Sequence, residues 1–207
     1  MVDITVLKKI EKLMEKSDIL EILEKGGLVE KGDLECGFFL KSKVAWPSSL
    51  PSTKALRVYF EQYGPQVGTF VEVGTSIVDF ISLEDLTRRQ MGYRSIEDGV
   101  PAPGWNQEHV LIATYNDDAI MVNTGNVQTE VLAAYANWNP AVIASSLGEF
   151  FEAVYAVMDI VYNKFNFEVL NEETCEPLED YMREVEVALK SILSESHRIN
   201  FIRFFYG

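Results

Sequence analysis

The sequence HVLIATYNDDAIMVN, residues 109–123, decides the fold class because it contains two apolar runs separated by a short polar segment. The apolar runs are residues 109–115 and 119–123, and Asn116-Asp117-Asp118 lies between them. Asparagine and aspartate tolerate the backbone conformations of tight turns, so the pattern predicts a β-hairpin. A third apolar run at 127–136 follows a second turn at 123–126, which extends the hairpin into an antiparallel meander.

Amphipathic helices are predicted on both sides of this meander. Apolar residues recur at helical spacing over 56–63, and Gly64-Pro65 ends that segment. Ser146 and Glu149 form a capping box ahead of a longer apolar stripe at 147–161. Further helices are predicted at 3–14, 18–25, 82–91 and 178–193, and further strands at 34–44, 67–73, 77–81 and 138–144. The expected class is α+β, with an antiparallel central sheet flanked by helices and an extra C-terminal helix.

The length and composition predict a single domain. The chain has 207 residues, of which 47% are hydrophobic, so one substantial core is expected. Composition divides it into an N-terminal helical and strand extension at 1–45, a core at 46–164, and a helical C-terminal extension at 165–207. The N-terminus lacks the basic and then apolar layout of a secretory signal, and the longest uncharged run contains Pro140 and polar residues. We therefore expect a soluble cytoplasmic protein without membrane insertion.

Negative charge dominates the middle of the chain. The formal net charge is −14, and the 69 residues from Ser95 to Asn163 contain nine carboxylates but no lysine or arginine. A field of one sign attracts partners of the opposite sign, so a basic protein is the expected partner. Nucleic acid is not expected to bind directly, because its phosphates would be repelled. Solubility alone is the alternative explanation of the charge.

The residues and spacings typical of catalysis or cofactor binding are not found in the sequence. Neither a phosphate-binding glycine loop nor a GxSxG segment occurs, and His109 and His197 are the only histidines. Cys36 and Cys175 are far apart and form no CxxC pair. The pair Asp117-Asp118 is interpreted as a turn and not as a metal site. We therefore expect no cofactor, no metal and no enzymatic activity, with an enzyme of dispersed carboxylates left as an alternative.

Acidic residues near the predicted meander, together with one tryptophan, are the candidate partner-binding residues. Trp105 lies in a loop rich in glycine and proline, which suits an aromatic anchor at an interface; the alternative is that it folds back to close the core. The candidate set is Glu97, Asp98, Trp105, Glu108, Asp117 and Asp118.

Five segments, taken in order, resemble the SUKH superfamily over about residues 48–161. LPSTKALRVYFEQYG at 50–64 resembles the family's "LP..y..fl..yNG" helix, with Tyr63-Gly64 in place of Asn-Gly. FISLEDL at 80–86 is similar to the "i.l.sleel" segment that follows its first hairpin. VLIA at 110–113 and AIMVNT at 119–124 are similar to its middle strands, and IASSLGEFF at 143–151 to its closing helix.

The resemblance implies an α+β fold and a protein-binding role without catalysis. Bacterial members are immunity proteins that bind and neutralise a cognate toxin, frequently a nuclease. A basic nuclease domain is therefore the expected partner, which agrees with the charge. Other relatives are regulatory scaffolds without a toxin partner, and this role is the alternative. In that alternative the tail would serve as a docking element through Phe201, Phe204, Phe205 and Tyr206.

Overall fold

A six-stranded antiparallel sheet forms the centre of the protein in the computed structural model, which describes residues 3–16, 38–97, 99–135 and 139–207. The predicted helix at 18–25, part of the predicted strand at 34–44, and the candidate residue Asp98 lie outside the described residues. The described strands are β1 (Phe39–Leu40), β2 (Gly64–Pro65), β3 (Phe70–Glu72), β4 (Ile77–Phe80), β5 (Ser95–Glu97), β6 (Val100–Pro101), β7 (His109–Tyr115), β8 (Asp118–Asn123), β9 (Val131–Ala134) and β10 (Ala141–Ala144).

The order of strands in the central sheet is β10-β9-β8-β7-β4-β3, and every neighbouring pair is antiparallel. The predicted hairpin at 109–123 is confirmed as β7 and β8, which occupy the middle of the sheet. The remaining strands form two small antiparallel pairs, β1 with β2 and β5 with β6. All seven residues of β7 are buried, so both faces of the sheet are covered at this strand.

The described helices are α1 (Ile4–Met14), α2 (Lys54–Tyr63), α3 (Leu86–Arg89), α4 (Leu147–Asp159), α5 (Glu179–Lys190) and α6 (Glu195–Tyr206), with a π-helical turn at Ile160–Lys164. The predicted N-cap of α4 is confirmed, because the Ser146 hydroxyl accepts a hydrogen bond from the Glu149 amide at 3.2 Å. The Glu149 carboxylate in turn accepts a hydrogen bond from the Ser145 amide at 3.1 Å. Together with the sheet, these helices confirm the predicted α+β class.

The two faces of the sheet are covered by different parts of the chain. Helix α4 packs on the face that includes Phe80, whose ring lies 5.7 Å from that of Phe151. On the other face, α3 and the chain following it are joined to β7 through Gln90. The buried Gln90 amide donates to the Leu111 carbonyl oxygen at 3.1 Å, and its oxygen accepts from the Leu111 amide at 3.0 Å. Gln90 therefore replaces a neighbouring strand at this point of β7.

The C-terminal extension differs from the prediction, because it forms two helices where one was expected. Ser194 caps α6, and the aromatic residues of this helix pack into the core: Phe201 is 0% exposed, Phe204 4% and Phe205 2%. The Tyr206 hydroxyl donates a hydrogen bond to the Val73 carbonyl oxygen at 2.7 Å. The interpretation of Phe201, Phe204 and Phe205 as an external docking element is therefore wrong, since their side chains are buried in the core.

Candidate partner-binding surface

The turn between β7 and β8 places two carboxylates at one end of the central sheet. Asn116 and Asp117 have φ values of 51° and 65°, so both adopt the left-handed conformation of the two-residue hairpin turn. Asp117 is exposed, and Asp118, the first residue of β8, is partly buried. The Tyr93 hydroxyl donates a hydrogen bond to the Asp117 carbonyl oxygen at 2.7 Å. The turn that carries the Asp117 carboxylate is therefore attached to Tyr93, in the chain that follows α3.

A hollow lies beside this turn because small side chains occupy paired positions on neighbouring strands. Ala119 of β8 is opposite Ala134 of β9, and paired residues project from the same face of a sheet. Both alanines are buried, at 2% and 3% exposure, and both contribute to the lining of a cleft at this end of the sheet. The resulting cleft has a volume of about 370 Å³ and also contacts Gly92, Tyr93 and Tyr135.

Tyr93 and Tyr135 both contribute to the lining of this cleft. The Tyr135 hydroxyl donates a hydrogen bond to the Phe204 carbonyl oxygen at 2.8 Å, so its ring is held against the end of α6. Burial raises the pKa of Tyr93, and the nearby Asp117 carboxylate raises it further. Burial also raises the pKa of Tyr135, with a further contribution from Asp118. Negative charge from the turn therefore reaches both tyrosines.

Both acidic and basic side chains lie next to the cleft. Arg89 forms an ion pair with Asp79 at 2.7 Å on the neighbouring strand β4. Burial raises the pKa of Asp79, Arg89 opposes this increase, and the Asp117 charge adds to it. Arg89 is thus already paired with a carboxylate, and Arg203 lies close enough to Tyr135 to lower the pKa of that residue. The cleft is thus lined by apolar, aromatic and acidic residues: Ala119, Ala134, Tyr93, Tyr135, Asp117 and Asp118.

The other candidate residues lie elsewhere. Glu108 precedes β7, whereas the acidic turn follows it, so the seven residues of this strand separate the two by about 20 Å. Burial lowers the pKa of His109, which follows Glu108 in the chain, whereas the charges of Glu108 and Glu130 raise it. Glu97 is exposed on the β5–β6 hairpin. The structure therefore brings Asp117 and Asp118 together and places Glu108 at the opposite end of the sheet.

Trp105 folds back toward the start of β7. Its indole nitrogen donates a hydrogen bond to the His109 carbonyl oxygen at 3.0 Å, and its ring meets that of Tyr93 edge-on at 6.1 Å. The residue is partly buried and packs against the core. Trp105 thus packs beside Tyr93. This position corresponds to the alternative given above, in which Trp105 folds back to close the core.

Sequence reasoning missed Ala119, Ala134, Tyr93 and Tyr135, which shape the cleft. The alanines were counted as members of apolar runs, and only the strand register shows that they face each other. Tyr135 was included in a strand that ends at Ala134. The signal in the sequence was the presence of small residues at positions that pair when the predicted strands are aligned.

Comparison with known proteins found no matching family model, no matching curated protein and no matching solved structure. Within the described parts of the chain, no three histidine, cysteine, aspartate or glutamate side chains come together in a way that could hold a metal ion. No helix among the described residues is both long and apolar enough to cross a membrane.

Proposed function

We propose that this chain is a SUKH-like immunity protein that binds and neutralises a basic bacterial toxin domain, most naturally a nuclease, in the cytoplasm. It acts by binding and not by catalysis, it needs no cofactor or metal, and it contacts neither nucleic acid nor the membrane interior. The observation that carries this proposal is the cleft at the β7–β8 turn, which is lined by Asp117 and Asp118 together with Tyr93 and Tyr135.

The chemistry of the cleft matches a lysine or arginine side chain from the partner. The aliphatic stem of such a side chain would lie against the two alanines, and its charged group would meet the two aspartates. A cation over a tyrosine ring adds about 0.5–2 kcal/mol, depending on how far it is desolvated. A nuclease must present cations to hold phosphates, so it carries the side chains that this cleft accepts.

The net charge supports the proposal at longer range. With a net charge of −14, the chain attracts a basic domain before contact, which increases the association rate. The lifetime of the complex depends instead on buried contacts such as the cleft. The two contributions are separable, because added salt weakens the first much more than the second.

Affinity capture tests the proposal directly. The intact chain is immobilised and exposed to lysate of source cells in which toxin genes are expressed, and it is washed first at low and then at high salt. A basic secreted-toxin domain that stays bound at high salt is the expected result, and its toxicity should be abolished by co-expression of this chain.

Recovery of housekeeping proteins alone would contradict the immunity role and favour the regulatory scaffold. The buried aromatic side chains of α6 give no support to that alternative, because they are not available for docking. A toxin domain that leaves the column completely at high salt would show that the long-range field acts without the cleft.

A further inference from the structure

A second cleft, on the side of α3, has the opposite electrostatic character. It has a volume of about 540 Å³ and lies between α3 and the β5–β6 hairpin. Two arginines, Arg88 and Arg94, contribute to its lining, and Glu84 is the one carboxylate among the described lining residues. Arginines therefore outnumber carboxylates among the described lining residues, although the net charge of the chain is −14.

Arg94 is held in this cleft by hydrogen bonds to Gln107, and among the described residues it forms no ion pair with a carboxylate. Its guanidinium donates to the Gln107 carbonyl oxygen at 2.9 Å through Nη2 and at 3.3 Å through Nε. The Gln107 amide donates back to the Arg94 carbonyl oxygen at 3.2 Å. Partial burial lowers the pKa of Arg94, and no described carboxylate forms an ion pair with it. An anionic ligand would therefore meet a preorganised and only partly hydrated cation.

Arg88 supplies a second, more mobile cation. It pairs with Asp85 at 2.9 Å, one helical turn away, and its side chain is 72% exposed. Exposed pairs of this kind contribute little to stability and are readily rearranged. In both arginines the hydrogen bonds to described residues use Nε and Nη2, which leaves Nη1 for a ligand.

Apolar side chains border the same cleft. Met91 is 50% exposed, Val100 41% exposed, and Ile96, on the hairpin between them in sequence, is 53% exposed. Met91 and Val100 line the cleft directly, together with Leu50 and Pro101. Large apolar side chains beside fixed cations are typical of protein interaction sites and not of sites for small free anions.

We propose that the cleft between α3 and the β5–β6 hairpin is a second docking site, which binds a peptide segment carrying both acidic and apolar side chains. The acidic group pairs with Arg88 and Arg94, and an apolar neighbour packs on Met91 and Val100. This partner is distinct from the basic domain proposed for the acidic cleft, since the two sites require opposite charges. The site therefore allows the chain to bind a second protein while the first is held.

Selection from a random peptide library displayed on phage, against the intact chain, tests this site. We expect enriched peptides to contain acidic and apolar residues together. Fluorescence anisotropy with a synthetic enriched peptide should then show about tenfold weaker binding for Arg88→Gln, because one charged hydrogen bond is lost. Arg94→Gln should weaken binding at least as much, and Met91→Gln should weaken it without a change in salt dependence.

Arg183→Gln is the matched control for Arg88→Gln, since Arg183 forms the same one-turn pair with Asp180 at 2.9 Å and is 69% exposed. It should leave the affinity unchanged. Circular dichroism verifies the fold of Arg94→Gln, and Arg88→Gln keeps the test valid if that variant unfolds. Failure to enrich peptides, enrichment of peptides without acidic residues, or equal binding by Arg88→Gln and wild type would overturn the proposal. Displacement of the peptide by equimolar inorganic phosphate would also overturn it, in favour of a phosphate site.

Discussion

Replacement of Gln90 by leucine should cost about 3 kcal/mol of the free energy of unfolding. Gln90 is 3% exposed, and its amide pairs with both backbone groups of Leu111, which is 0% exposed. Leucine has a similar volume but leaves the Leu111 N–H and C=O groups without partners in the interior. Each unsatisfied group costs about 1–3 kcal/mol, and the additional apolar burial offsets part of the sum.

Urea denaturation followed by far-ultraviolet circular dichroism measures this effect. With a slope of about 2 kcal/mol per molar urea, the midpoint should fall by about 1.5 M. Gln128→Leu is the control, because Gln128 lies exposed in the turn between β8 and β9, and its midpoint should change little. An unchanged midpoint for Gln90→Leu would refute the claim that this amide replaces a neighbouring strand and attaches the covering segment to β7.

Three further predictions concern the core and the pH dependence of stability. Phe201→Ala should lower the free energy of unfolding by about 3–5 kcal/mol, since Phe201 is fully buried. Ile199→Ala, at a position that is 56% exposed, should change this free energy little. Equal effects of the two substitutions in urea denaturation would contradict the assignment of the α6 aromatic residues to the core. Deletion of residues 198–207 should abolish cooperative unfolding, whereas an intact fold would restore the docking interpretation. Burial holds the pKa of His109 below its usual 6.5, so the neutral form is favoured in the folded state and stability should decrease as pH falls below about 6.5. His109→Gln should remove this part of the pH dependence, as measured by the melting temperature between about pH 5 and 8; a variant profile identical to that of the wild type would contradict the assignment.

Local patterns in the sequence predicted the elements that depend on neighbouring residues alone. The hairpin at 109–123 formed as expected because its turn residues tolerate positive φ, and α4 began at its capping serine. Strand ends were predicted less accurately. Among the described residues of the run at 127–136, the strand covers Val131–Ala134, since the preceding residues form hydrogen bonds within their own turn. Helix α6 was not predicted, although Phe201, Phe204 and Phe205 have helical spacing.

Features that depend on contacts between distant segments could not be predicted. The pairing of Gln90 with Leu111 spans 21 residues and has no local signature. The hollow over Ala119 and Ala134 requires the register of two strands, and its lining includes residues from two further segments. For the same reason the sequence placed Glu108 with the acidic turn, although a full strand separates them.

If the acidic cleft receives the basic partner, removal of its two carboxylates should slow binding. The double variant Asp117→Asn, Asp118→Asn makes this change with little effect on the turn. Asparagine tolerates the left-handed conformation at position 117, so the double variant removes two charges and retains the hairpin. Glu172→Gln with Glu173→Gln removes two adjacent exposed charges elsewhere and serves as the matched control.

The deciding measurement is the association rate of the captured basic domain with each form by stopped flow, across a range of ionic strength. We expect association to be about tenfold slower for the double aspartate variant at low salt and to depend less on salt, whereas the glutamate control should behave like the wild type. Equal slowing in both variants would contradict the account, because total charge and not the cleft would then direct binding.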